Sequence, residues 1–306
     1  MRKPIIITIG SGKGGVGKST VVSNLGSVLA GEKNYRVGFV DADLGGANLH
    51  TFLGVKRPAK GMQDFLAGRE KSLQDVALET VVPNTWLISG ASDVLELANP
   101  RYAQKQRLIS HLNRLDADYV FVDLGAGSDS NVVDFCASFD QNIVISDSQP
   151  TSVENAYGFL KNSLVRGVFR LFPGRNDVRG MLKSFTDPKS VDGCATMDQL
   201  LRKMSRKNPA EATVVRQWLQ KRRTYLILNM VRDNEDIAIG KRFSQIVKKY
   251  LSMQLHYIGY VGFDHEVRSS LRQYRPVVTR TESEMLLSCF SAITDNLVVL
   301  TKGKKG

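Results

Sequence analysis

Residues Ser11 to Thr20 read SGKGGVGKST, and Gly12 to Ser19 fit the spacing GxxxxGK[ST]. Each residue type in that pattern has a use in holding phosphate. Glycines let the backbone turn tightly and aim N–H groups inward. A helix opening near Lys18 adds the positive end of its dipole. Lys18 is spaced to reach the outer phosphates of a nucleoside triphosphate, and the Ser19 hydroxyl to ligate Mg2+. The expected phosphate contacts are therefore Gly12, Gly14, Gly15, Val16, Gly17, Lys18, Ser19 and Thr20. A glycine-rich turn without a ligand is the bland alternative. The apolar strand before this loop and the helical pattern after it argue against that.

Carboxylates follow at two further strand ends. Asp41 and Asp43 leave an apolar run at Val40-Asp41-Ala42-Asp43. Beside a phosphate loop, two such groups can orient a water and help hold Mg2+. Val120-Phe121-Val122-Asp123 is a second apolar run ending in aspartate, with Gly125 and Gly127 behind it. A lone pair of strand-end aspartates is more often a solvated turn, so these gain meaning only from the loop they accompany.

A fold that sets these groups side by side is predicted by the rest of the chain. Ile5–Ile9, Arg36–Val40, Trp86–Ile88, Tyr119–Val122, Asn142–Ile145, Tyr225–Leu228 and Tyr257–Val261 read as strands, several of them apolar throughout, as strands covered on both faces must be. Helical spacing lies between them, as in Ser19–Ala30, Tyr102–Leu115 and Ile237–Leu251. The alternation predicts an α/β fold, a doubly wound, mostly parallel sheet with helices on both faces. Ligands then sit beyond the carboxyl ends of the strands. One domain spanning residues 1–306 accounts for the length. No window holds 18 consecutive apolar residues, so no membrane-spanning helix is expected. Cys136, Cys194 and Cys289 form no CxxC pair and suit a reducing compartment.

With Lys13 in place, the loop resembles the deviant Walker A motif of the ParA/MinD family of ATPases. The resemblance implies an ATP/ADP cofactor with Mg2+, slow hydrolysis, and a homodimer in the ATP state with nucleotide between the subunits. It implies that Lys13 reaches the other subunit's nucleotide, in the manner of an arginine finger. Lys13, Lys18 and Asp43 then form the catalytic set, with Asp43 tied to hydrolysis, and Ser19, Asp43 and Asp123 support the metal. Gly127 senses the γ-phosphate through its amide, and Asn229 reads the adenine edge. Asp264 lies where relatives carry a Pro-x-Asp turn near the base. Gly262 replaces that proline, which leaves a base contact and a plain strand-end turn both open. The run Asp41–Gly54, continued through Gly61–Gly68 to Leu87–Ala91, is most similar to the flagellar-number regulators FlhG and FleN. The sheet is expected to start at residue 5, without the N-terminal extension of FlhG. Metal- or cluster-delivery ATPases of the Mrp and nitrogenase-iron-protein type are the alternative, and they need cysteine pairs.

Net charge is +12, from 42 Lys and Arg against 30 Asp and Glu, and it is unevenly spread. Residues 161–223 hold 15 basic and 5 acidic side chains. That stretch shows helical patterns at Ala156–Leu171, Thr196–Met204 and Glu211–Lys221 and is expected to be a basic helical insertion, while residues 301–306 form a basic tail. The insertion is the expected contact for a protein activator or effector, or for DNA or anionic membrane, through Arg166, Arg170, Arg202, Lys203, Arg206, Lys207 and the triplet Lys221–Arg223. The protein is expected in the cytoplasm, peripheral at the membrane or nucleoid where such a surface is bound. Leu286, Phe290, Ile293, Leu297 and Leu300 give Glu284–Leu300 an apolar face, expected to pack on the domain.

Overall fold

A computed structural model describes residues 3–43, 46–90, 102–187 and 193–302. Its frame is an eight-stranded sheet in the order β3-β4-β2-β5-β1-β6-β7-β8. The strands are β1 Ile5–Ser11, β2 Val37–Asp41, β3 Leu78–Glu79, β4 Thr85–Ile88, β5 Tyr119–Ala126, β6 Gln141–Ser146, β7 Arg223–Val231 and β8 Leu255–Gly262. Every pairing is parallel except β3 with β4. β3 is the strand that sequence patterning missed, because two residues carry no periodicity.

Side-chain alternation along each strand splits the core in two. On one face Ile7, Ile9, Phe39 and Phe121 pack under α1 (Lys18–Gly31) and α12 (Glu284–Lys302). On the other, Ile6, Val40, Val120 and Val122 pack under α4 (Tyr102–Leu112), α5 (Ser130–Ser138), α6 (Pro150–Leu171) and α10 (Asn234–Leu251). Short helices α2 (Leu49–Phe52), α3 (Met62–Leu66) and α11 (Glu266–Arg272) fill connections near the strand ends.

Between β6 and β7 the regular elements of the described part are all helices. α6 continues without a break past residue 161, and α7 (Asn176–Thr186), α8 (Met197–Lys207) and α9 (Pro209–Lys221) follow. Thr196 caps α8 by accepting from the Gln199 amide, and Asn208 caps α9 ahead of Pro209. Leu200, Leu201, Met204 and Val215 are buried, so these helices join the main core.

Part of the basic segment is engaged within the domain. Arg166 pairs with Asp134 at 2.5 Å, and Arg170 donates to the Asp134 carbonyl at 2.9 Å. Arg222 is buried and donates to the carbonyls of Cys136 and Phe139, both at 3.1 Å. Arg223 donates to the Leu300 carbonyl.

α12 is long and apolar enough, by length and composition alone, to cross a membrane. In the fold it is a covering helix. Leu286, Phe290, Ile293 and Leu297 are buried against the sheet, Asn296 donates to the Ile258 carbonyl at 2.9 Å, and Asp295 pairs with Lys33 at 2.6 Å.

Candidate functional site

The phosphate loop runs from the end of β1 to the start of α1. Gly12 and Gly17 are fixed by close neighbours, and Gly15 and Gly17 by a positive φ. A Cβ on Gly12 would lie 2.1 Å from the Asn155 carbonyl group at the start of α6. Gly17 caps α1 at φ 82°, in the left-handed region, and a Cβ there would meet Asn229 Nδ2 at 2.2 Å. Only glycine lets the loop lie this close to both helices and strands. Asn229 Nδ2 in turn donates to the Val16 carbonyl at 2.8 Å, so β7 holds the loop from the side.

Beneath the loop, β2 and β5 end side by side, with Asp41 opposite Asp123 in the register. Asp123 is buried. Its Oδ2 accepts from Ser19 Oγ at 2.7 Å, while Oδ1 is buried with no partner. Burial pushes its pKa up and Asp43 adds to this, while Lys18 and Ser19 pull it down; the balance is about 6. Asp41 accepts from the Leu49 amide at 2.9 Å and the Asp43 amide at 3.2 Å. Burial, and then the neighbouring Asp123, raise it as well, so the two adjoining carboxyls hold their protons more tightly than free aspartates do.

A cavity of about 600 Å3 opens over these groups. Gly14, Gly15, Gly17, Lys18, Ser19, Thr20, Asp43, Asn229 and Asp264 all line it. The other sequence candidates lie around it. Gly12 is pressed on α6, Val16 is buried, and Asp123 is reached through Ser19. The Gly127 amide donates to the Ser11 carbonyl at 3.0 Å and is therefore engaged within the loop in this state. Lys13 is half-buried and is not among the lining residues.

Asp264 has both oxygens occupied, by the Glu266 amide at 2.8 Å and Ser283 Oγ at 2.9 Å. The glycine at 262 has a packing reason, since a Cβ there would meet Met285 Sδ of α12 at 2.4 Å. Sequence reasoning missed Asn48, which stands 3.2 Å from Ser19 Oγ, and the far wall of Phe52, Met230 and Phe263. Phe263 and Met230 are among the exposed large apolar side chains, and Arg232 lies 4.6 Å from the Phe263 ring centre. No motif marks these positions. Their signal is an apolar residue at the carboxyl end of each of two neighbouring strands, Met230 within the last residues of β7 and Phe263 just past β8.

The model of the ParA family, described by its member NUBPL, an iron-transfer P-loop NTPase, matches residues 3–158. The chain belongs to the ParA family of P-loop NTPases. Within that family it is 36% identical over 157 residues to the flagellum site-determining protein YlxH of Helicobacter pylori, covering 51% of this chain and 52% of that one. It is 33% identical over 161 residues to the antiactivator FleN of Pseudomonas aeruginosa, covering 51% and 55%. The chain thus spans about half the length of the curated relatives it matches. The fold of this ParA-family chain is that of the septum site-determining protein MinD from Pyrococcus horikoshii, solved with Mg-ADP. The TM-score is 0.66 at 22% identity, covering 98% of both chains.

Proposed function

We propose that this ParA-family protein is an ATP-dependent dimerising switch that hydrolyses ATP to ADP and phosphate and positions or regulates a cellular partner, such as flagellar, division or partition machinery. The observation that carries the reading is the division of labour between two lysines of one loop. Lys18 lines the cleft, whereas Lys13 does not and makes no ion pair or hydrogen bond through its side chain among the described residues. A lysine kept out of its own cleft suits a nucleotide on a second copy of the chain.

The residues present fit Mg2+ and a triphosphate. Ser19 Oγ and the unpartnered Oδ1 of Asp123 are hard oxygen donors at the cleft floor. Among the described residues no group of three or more His, Cys, Asp or Glu side chains is placed to hold a metal. A Mg2+ ion here therefore depends on phosphate and water ligands, as Mg2+ usually does. When bound, it neutralises phosphate charge. The loop amides and Lys18 hold the phosphates, Ser19 and Asp123 keep the metal in place, and Asp43 orients the attacking water. Asn229 and Asp264 form the wall nearest the base, together with Phe263.

Delivery of a metal or cluster is the second reading, and the family model's iron-transfer member is what favours it. It would need exposed thiolates. Cys136 and Cys194 are buried and Cys289 is half-buried. The cytoplasm, with peripheral attachment through a bound partner or surface, is the proposed location.

Lys13→Ala tests the switch. Fluorescent ATP should still bind, while ATP-dependent dimerisation in analytical ultracentrifugation and phosphate release should both be lost. A variant that dimerises and hydrolyses at the wild-type rate overturns the reading.

A further inference from the structure

Two cavities away from the cleft share a wall. One, of about 410 Å3, lies among α4, α5 and α6, and the other, of about 360 Å3, among α5, α6 and α7. Arg166 and Phe169 border both, so the pair forms one groove crossed by a ridge. Five cations line it, namely Lys105, Arg166, Arg170, Arg179 and Lys183, against the single carboxylate of Asp134. Asp134 is already paired with Arg166 at 2.5 Å and Lys105 at 3.2 Å. Arg179 and Lys183 are exposed on α7 and have no carboxylate partner among the described residues.

Between the cations the walls are apolar. Ile109 and Phe135 line one hollow, and Val133, Val165 and Leu182 line the other. Cations around apolar hollows complement a chain that alternates acidic and apolar side chains. Nucleic acid fits less well. Phosphate contacts would leave the hollows empty, and the Phe169 ring is already overlain by the guanidinium groups of Arg179, at 5.2 Å, and Arg166, at 5.9 Å.

We propose that this groove docks an acidic, apolar-anchored segment of a partner protein. Ser128 and Ser130 line its α7 end, directly after Gly127, whose amide holds the Ser11 carbonyl of the phosphate loop. A rearrangement of that loop changes the groove, and by linkage docking changes nucleotide affinity. This coupling rests on the switch reading above; the docking does not.

The test uses the full chain and fluorescein-labelled peptides of about fifteen residues. They are rich in Asp and Glu and carry two leucines at varied spacing; control peptides carry Lys for the acids or Ser for the leucines. A single-stranded oligonucleotide and phosphatidylglycerol vesicles are run in parallel. Acidic leucine peptides should bind in anisotropy titrations, and both controls should not. The doubly charge-reversed variant Arg179→Glu/Lys183→Glu, at two exposed positions, should weaken binding about tenfold or more while its circular dichroism stays unchanged. The proposal is overturned if no acidic peptide binds, if charge reversal leaves the affinity unchanged, or if only the oligonucleotide or the vesicles respond to it. Fluorescent ATP is titrated into the same protein. If ATP binds without changing peptide affinity, the coupling is refuted and the site stands. If ATP does not bind, the ATPase reading fails and the peptide result still judges the groove.

Discussion

Replacing Asp123 by asparagine should stabilise the nucleotide-free protein while weakening its response to Mg-ATP. Asp123 is 2% exposed and Asp41, beside it, 1%. The ordinary value of 3.8 rises to about 6 for Asp123, mainly through burial. The folded chain therefore binds this proton more tightly than the unfolded chain does. Below about pH 4 both states are protonated and nothing is lost. As pH rises from 4 to 6 the unfolded state ionises first, and above 6 the folded protein carries the whole cost of a buried charge. A rise from 3.8 to about 6 is roughly a hundredfold in proton affinity, or about 3 kcal/mol as a ceiling. Asparagine removes the charge and can still accept from Ser19, but its amide hydrogens need partners in place of the bare Oδ1. That reduces the gain to about 1–3 kcal/mol. For a chain of this size it corresponds to a melting temperature roughly 2–5 °C higher. Thermal melts without Mg2+ or nucleotide should show the variant's advantage largest at pH 8 and shrinking steadily as pH falls toward 4. Mg-ATP should raise the melting temperature of the wild type more than that of the variant. A variant that melts lower at pH 8, or a gap that does not depend on pH, refutes the reasoning.

Two further substitutions probe the frame around the site. Gly12→Ala puts a methyl group 2.1 Å from an Asn155 carbonyl that α6 holds in place, so the loop must shift; titration with fluorescent ATP should show affinity falling by about tenfold or more, and unchanged affinity would show that the loop yields freely. Arg222→Met removes the buried donors to the Cys136 and Phe139 carbonyls and should cost about 3–5 kcal/mol in denaturant unfolding. Lysine should not rescue it, because one ammonium cannot replace a planar fork; a loss under about 1 kcal/mol would mean that those carbonyls are satisfied otherwise.

The groups that touch the cleft were legible because phosphate chemistry constrains residue type over a few consecutive positions. Gly14, Gly15, Gly17, Lys18, Ser19 and Thr20 needed only local spacing and Asp43 a strand end beside the loop, whereas Asn229 and Asp264 came only from the family resemblance. What sequence could not show depends on partners far away in the chain. Asn229 is drawn to the Val16 carbonyl across 213 positions. Gly262 makes room for Met285 on another helix. The seven strands read from apolar runs all exist, while β3, held at the edge by pairing with β4, has no pattern of its own. α7 was also missed, because the stretch before it is broken by Pro173 and Gly174 and its buried Val178, Met181, Leu182 and Phe185 sit among polar neighbours.

Charge shows the same division between composition and structure. The count for residues 161–223 is a property of composition, but the work of each cation is set by the fold. Arg166, Arg170 and Arg222 tie α6 and the start of β7 to α5, whose first turn follows the loop at Gly127. They hold the helix that follows Gly127. Arg179 and Lys183 remain at the surface, on the helix that patterning missed, and border a hollow that α5 also lines. One basic segment thus contributes both the fixed side and the open side of α5. A partner that engages the open side acts on the same helix whose other contacts are built into the domain, and that gives a local binding event a mechanical path toward the phosphate loop.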